Sequence, residues 1–122
     1  KVVSFLETQK KVTNVIYPTN HQGEIKERAK KYLKGGNGAL VGADLGTAEA
    51  GAKFIDNLKM LYHVANIGDA RSLAIHPATT THSQLNDKEL LAAGVTPGYV
   101  RLSIGIEHPD DIIADIKQAL AA

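Results

Sequence analysis

Arg101 is the residue of this chain best placed to do chemistry. It lies within Tyr99 to Ile106, where Val100, Leu102, Ile104 and Ile106 alternate with Tyr99, Arg101, Ser103 and Gly105. That period of two predicts a strand buried on one face, with the arginine on the opposite face from the four aliphatics. Ser103 and Gly105 are expected to leave space above the sheet beside it. A guanidinium held on a rigid strand can grip a carboxylate through two parallel hydrogen bonds. From the pattern alone, a surface arginine, or one paired with an Asp or Glu inside the fold, is the plainer reading.

The other polar residues carry weaker signals. Asn66, next to Gly68, reads as a turn residue. Thr79, Thr80, Thr81 and His82 follow Pro77, and threonines in such a run commonly satisfy nearby backbone groups. His76 and His82 are six positions apart and match no zinc-binding spacing, while His21, His63 and His108 are scattered, so no metal site is expected. A hydrolase built on Ser72, His76 and Asp69 would need its nucleophile on a strained elbow, and the chain has no Gly-x-Ser-x-Gly. Gly35-Gly36-Asn37-Gly38 precedes a strand, whereas phosphate loops follow one and open a helix. Lys53 and Lys59 belong to an amphipathic helix with nothing nearby to desolvate an amine. No cysteine is present to act as nucleophile, metal ligand or disulfide partner.

Helices and strands alternate around these residues. Val2, Phe5 and Leu6 follow helical spacing from the first residues without a preceding cap, which suggests a helix cut partway along. Val12 to Tyr17 is predicted as a strand ending at Pro18. A helix from about Glu24 to Leu33 carries Ile25, Ala29, Tyr32 and Leu33 on one side, a basic cluster on the other, and stops at Gly35-Gly36. Ala39 to Ala43 is a short apolar strand. Thr47 can cap a helix that buries Gly51, Phe54, Ile55 and Leu58. Leu61 to Ile67 is strand-like up to Gly68-Asp69, and Leu73-Ala74-Ile75 is too short to assign. Asn86 and Glu89 have capping-box spacing for a short helix ending at Gly94. Pro109, Asp110 and Asp111 open a last helix that buries Ile112, Ile113, Ile116 and Leu120. The expected fold is α/β, a two-layer sandwich with a small sheet covered by helices on one face.

The 122 residues are one domain's length. With 43% hydrophobic and 22% charged residues, a packed globule is expected rather than a disordered or fibrous chain. No apolar run approaches the roughly 18 residues that span a bilayer, and a cytoplasmic protein without membrane contact is the default. The net charge of +1 supplies no field for nucleic acid. The cluster of Lys26, Arg28, Lys30, Lys31 and Lys34 lacks an accompanying aromatic platform and is expected to be a solvated helix face.

Two segments, Ala65 to His82 and Arg101 to Glu107, resemble the carboxyl-terminal domain of the Cys/Met-metabolism family of pyridoxal-phosphate enzymes, most closely its O-acetylhomoserine sulfhydrylase branch. The resemblance implies a mostly antiparallel sheet covered by helices, the small domain of the fold-type I enzymes. It implies that Arg101 holds the substrate α-carboxylate, in an Arg-Leu-Ser-hydrophobic-Gly-hydrophobic-Glu motif matched at every position. Asn66 stands where many members have a serine that helps hold the same carboxylate and positions the cofactor lysine. The threonine matching Thr81 lies near the substrate. Ala65 replaces a glutamate frequent in members that handle cystathionine, which favours a small nucleophile such as sulfide or methanethiol.

The family attaches pyridoxal phosphate to a lysine in a Ser-x-Thr-Lys type motif, and no such motif occurs here. The expectation is therefore a single carboxyl-terminal domain, residues 1–122, without the cofactor-binding large domain, and inert by itself. Its partners would be an amino-acid substrate, that large domain and further subunits of a homo-oligomer, typically a tetramer. Alternatives are a freestanding amino-acid-binding or regulatory module, or part of a methionine γ-lyase or cystathionine enzyme.

Overall fold

The computed structural model describes residues 1–122. The chain runs α1 (Val2–Glu7), β1 (Asn14–Ile16), α2 (Gly23–Tyr32), β2 (Leu40–Asp44), α3 (Ala48–Asn57), β3 (Tyr62–His63), β4 (Leu73–Ile75), α4 (Asp87–Ala92), β5 (Tyr99–Ser103) and α5 (Pro109–Ala121), with 3-10 turns at Pro18–Asn20 and Pro77–Thr79. No helix is long and apolar enough to cross a membrane.

Local chemistry sets several of these boundaries. The Thr47 side chain accepts the Ala50 amide at the start of α3. At α4 the Asn86 side chain accepts the Glu89 amide while the Glu89 carboxylate accepts the Asn86 amide, a complete capping box. Gly94, at φ +76°, follows the helix in the left-handed region that favours glycine. Pro109 occupies the first turn of α5, and Asp110 and Asp111 complement its dipole.

The five strands form one sheet in the order β1-β2-β5-β4-β3, antiparallel throughout except for the parallel pair β3 and β4. Its register sorts the side chains. One set of cross-strand neighbours, Val15 with Ala43 and Val100, and Val41 with Leu102 and Ala74, points into the core. There they meet Val2 and Leu6 of α1, Phe54 and Ile55 of α3, and Ile112 and Ile116 of α5. The opposite row is Ile16, Gly42, Arg101 and Ile75. The result is the expected α/β sandwich, with its apolar core between one sheet face and three helices.

Five expectations change. The strand read from Val12 to Tyr17 is only Asn14–Ile16, paired with residues 42–44 of β2. That read from Leu61 to Ile67 is only Tyr62–His63, beside a β4 itself three residues long. Leu73–Ile75, too short to assign from sequence, is a wholly buried strand between β5 and β3. The alternation through Ile106 breaks at Ser103, and Ile106 is 87% exposed, because its amide leaves the ladder to bond the Ala70 carbonyl. Finally, α2 forms as expected but buries no residue, leaving Ile25, Tyr32 and Leu33 in solvent.

Candidate functional site

The center of β5 sits between β2 and β4, so Arg101 has Gly42 on one side and Ile75 on the other. Gly42 is required there. A Cβ on it would stand 2.5 Å from Cε2 of Tyr99 and 3.0 Å from Cβ of Ile16, so the tyrosine ring fills the place a side chain would take. Tyr99, Gly42 and Arg101 line a cavity of about 710 Å³, together with Ile16 and with Ile25 and Arg28 of α2. That volume is within the range of small-molecule sites. Burial pushes the Tyr99 phenol above its ordinary value, and the nearby Arg101 charge offsets part of the rise. The hydroxyl therefore stays protonated at neutral pH and can donate.

The guanidinium of Arg101 is not ion-paired. It is half-buried, and the ion pairs of the chain, Lys1 with Asp110, Arg28 with Glu24, Lys30 with Glu27 and His108 with Asp110, do not include it. Nη2 donates to the backbone carbonyl of Asn66 at 3.1 Å. Nε is enclosed and has no partner. Native structures leave few buried donors unpaired, and each costs about 1–3 kcal/mol. A guanidinium that lines a cavity without an ion-pair partner is suited to an anion at its terminal N–H groups.

Asn66 reaches Arg101 through its main chain. Its carboxamide is exposed and makes no hydrogen bond, so the structure joins the two predicted residues by a contact that side-chain reasoning did not foresee. The loop carrying it is held at its far end. Glu107 accepts the Ser72 amide on Oε1 at 2.7 Å and the Ser72 hydroxyl on Oε2 at 2.8 Å. The Ser72 hydroxyl in turn accepts the Gly105 amide at 2.9 Å, and the Ala70 carbonyl accepts the Ile106 amide. Burial alone would raise the Glu107 carboxyl, but the hydrogen bonds from Ser72 outweigh it and hold the group below its ordinary value.

The expected space above Ser103 and Gly105 does not exist. Ser103 is buried, and a Cβ on Gly105 would lie 2.3 Å from the Ala70 carbonyl oxygen and 2.6 Å from the Ser72 nitrogen. The 70–72 backbone fills it. The open side of Arg101 is toward β2 and α2 instead.

Thr81 stands apart. It is exposed in the loop after the Pro77–Thr79 turn, and its hydroxyl pairs with Nδ1 of the adjacent His82 at 2.9 Å. No hydrogen bond ties it to Arg101 or Asn66. Ala65 is exposed at the start of the same loop as Asn66. His76 is fully buried and structural, with Nε2 2.7 Å from the Pro97 carbonyl and Nδ1 2.9 Å from the Thr79 hydroxyl. No group of three His, Cys, Asp or Glu residues is arranged to hold a metal.

Sequence reasoning missed the Glu107 to Ser72 bridge, although Glu107 closes the motif that begins at Arg101. It also missed Asp115, buried on the apolar stripe of α5, whose carboxylate accepts the amides of Lys59, Met60 and Leu61. An acid between Ile112 and Ile116 was its only signal.

The residues present do not fit the anchoring of pyridoxal phosphate. An amine that forms an imine needs desolvation or a neighbouring cation to lower its basicity. Here ten of the eleven lysines are exposed and Lys26 is half-exposed. This chain's residues can hold an anion, and none is placed to carry the cofactor.

Comparison with known proteins places this geometry. The model of the Cys/Met metabolism PLP-dependent enzyme family matches residues 1–121. The O-acetyl-L-homoserine sulfhydrylase of Leptospira meyeri is 50% identical over 122 residues, covering 98% of this chain and 28% of that protein. The L-methionine gamma-lyase of Fusobacterium nucleatum subsp. polymorphum is 44% identical over 121 residues, covering 98% and 30%. A crystal structure assigned as an O-acetylhomoserine (thiol)-lyase of Campylobacter jejuni subsp. jejuni, which holds a pyridoxyl-lysine monophosphate, superposes with a TM-score of 0.89 at 40% identity, covering 99% of this chain and 29% of that one. The chain thus spans under a third of the length of the relatives it matches.

Proposed function

The chain belongs to the Cys/Met metabolism family of PLP-dependent enzymes, and we propose that it is the carboxyl-terminal, carboxylate-holding domain of an O-acetylhomoserine sulfhydrylase. That enzyme would exchange the acetate of O-acetylhomoserine for sulfide, releasing acetate and giving homocysteine. The observation that carries the reading is the Arg101 guanidinium at a cavity edge, in none of the chain's ion pairs and already oriented by the Asn66 carbonyl. A substrate α-carboxylate would pair with the terminal N–H groups, because Nε is enclosed by the chain itself. The half-buried position of the residue strengthens such a charge-assisted contact over one made fully in water.

On this reading the cofactor and its lysine come from a large domain outside these 122 residues, and the enzyme works as a homo-oligomer. The chain alone is catalytically inert. Its own residues bind and orient: Arg101 takes the carboxylate, the Asn66 segment fixes the guanidinium, the exposed Asn66 carboxamide is available to the substrate, and the Thr81 hydroxyl would exchange its bond to His82 for one to the substrate.

The test is Arg101→Ala in the full-length enzyme. Losing two charge-assisted bonds of about 1.5–3 kcal/mol each should raise the KM for O-acetylhomoserine by at least about a hundredfold at roughly 1.4 kcal/mol per factor of ten. The KM for sulfide should change little. An unaltered KM for the amino acid overturns the assignment of Arg101. The similarity to a methionine gamma-lyase supports a second reading of the same site, and methanethiol release from methionine exceeding homocysteine synthesis would favour it.

A further inference from the structure

We propose that Glu107 is a positioning residue for substrate binding, acting through Ser72 and the 66–72 loop on the orientation of Arg101. The inference rests on the reading of Arg101 as the carboxylate holder and adds what sets that arginine's geometry. Arg101 is held from outside its own strand by one carbonyl, that of Asn66. The loop bearing that carbonyl is exposed from Ala65 to Arg71 and has no helix or strand of its own. An Asx turn, in which Asp69 accepts the Arg71 amide, and Gly68 at φ +73° shape it locally without fixing it to the sheet.

At its near end the loop leaves β3, where the Val64 amide bonds the Ala74 carbonyl; at its far end fixation comes at residues 70–72, where the chain leaving β5 grips it. Both oxygens of Glu107 are committed to Ser72, the Ser72 hydroxyl accepts from Gly105, and the Ala70 carbonyl accepts from Ile106. Gly105 has no Cβ, and the loop backbone lies directly against it. The grip follows Arg101 by four to six residues on the same continuous segment. The middle of β5 therefore presents the arginine, and the chain leaving β5 pins the loop that orients it. A shift of about 1 Å at a positioning group can cost about a hundredfold in rate, so a slackened loop should be read directly in substrate affinity.

The substitution Glu107→Ala removes two acceptors at once, and Ser72→Ala removes the hydroxyl while leaving the amide. In the full-length enzyme, Glu107→Ala should raise the KM for the amino-acid substrate by about tenfold, less than loss of Arg101 itself. The KM for sulfide should stay within about twofold. Ser72→Ala should move the same constant in the same direction by a smaller factor, and it stands in if Glu107→Ala does not fold. Placed in an Arg101→Ala background, either change should add nothing to the KM, because its effect runs through the arginine. A purely structural glutamate would shift both substrates' constants, or none, and would add fully in that background. If Arg101→Ala raises the KM and neither Glu107→Ala nor Ser72→Ala does, the positioning role is wrong and the carboxylate site stands. If Arg101→Ala itself has no effect, the underlying reading falls with it.

Discussion

The imidazole of His76 occupies the space above Gly51 so fully that a Cβ there would stand 2.5 Å from Nε2 and 2.7 Å from Cδ2. The ring cannot withdraw. Nε2 faces the Pro97 carbonyl, so it carries the proton and donates, leaving Nδ1 to accept from the Thr79 hydroxyl. Gly51→Ala should gain about 1 kcal/mol of helix propensity in α3. Against this stand overpacking of about 1–3 kcal/mol and strain on two buried hydrogen bonds of about 1 kcal/mol each. The expected result is a net loss of about 2 kcal/mol by urea unfolding of the chain. A variant as stable as the parent would mean that the α3 packing is looser than described.

Asp115 should give the chain a distinct acid sensitivity. Its burial alone would raise the carboxyl, but the amides of Leu61, Lys59 and Met60 and the Gln118 side chain outweigh that and depress it. A depressed carboxyl contributes stability that is complete above its unfolded value of about 3.9 and is lost as pH falls through the lower folded value. The chain should therefore lose stability below about pH 4, and Asp115→Asn should flatten that part of the curve. At neutral pH the variant should be less stable by about 2–3 kcal/mol, because an amide NH₂ cannot accept from the loop. A stability curve of unchanged slope in acid would show that another carboxylate governs it.

What was legible in the sequence is what neighbouring residues decide. Thr47 and Asn86 announce helix starts because their caps close within three positions, and Val100 and Leu102 announce a buried face because alternation is local. Leu73–Ile75 is a strand only because β5 and β3 flank it, and three residues carry no period. Ile106 continues the alternation in sequence and breaks it in space, since the distant Ala70 carbonyl captures its amide. The face on which Arg101 lies was readable. Its unpartnered Nε was not, nor was its orientation by a main-chain carbonyl 35 residues away.

Gly105 tests how tightly the Arg101 motif and the 66–72 loop are joined. A methyl group there would meet the Ala70 carbonyl oxygen at 2.3 Å, the Arg71 carbonyl carbon at 2.5 Å and the Ser72 nitrogen at 2.6 Å, all main-chain atoms. Backbone yields less readily than a side-chain tip. Gly105→Ala should cost about 3 kcal/mol or more, the upper range for overpacking, and free the loop. Hydrogen exchange should then show lost protection at the amides of Ser72 and Ile106, both bonded across this contact. Retained protection at both would disprove the predicted displacement.

Gly42 makes the opposite test, because what it meets is a side chain that can be removed. Alanine should otherwise be favoured over glycine in a strand interior, where glycine loses more backbone freedom on folding. Here the methyl would stand 2.5 Å from Cε2 of Tyr99, 3.0 Å from its hydroxyl and 3.0 Å from Cβ of Ile16. We expect Gly42→Ala to destabilise the chain by about 1–2 kcal/mol by turning the ring into the cavity beside Arg101. In a Tyr99→Ala background, where the ring is gone, the same change should be neutral or mildly stabilising, giving a coupling of about 1–2 kcal/mol between the two sites. If the cost persists without the ring, Ile16 is the obstacle, and the tyrosine does not hold the floor of the cavity through Gly42.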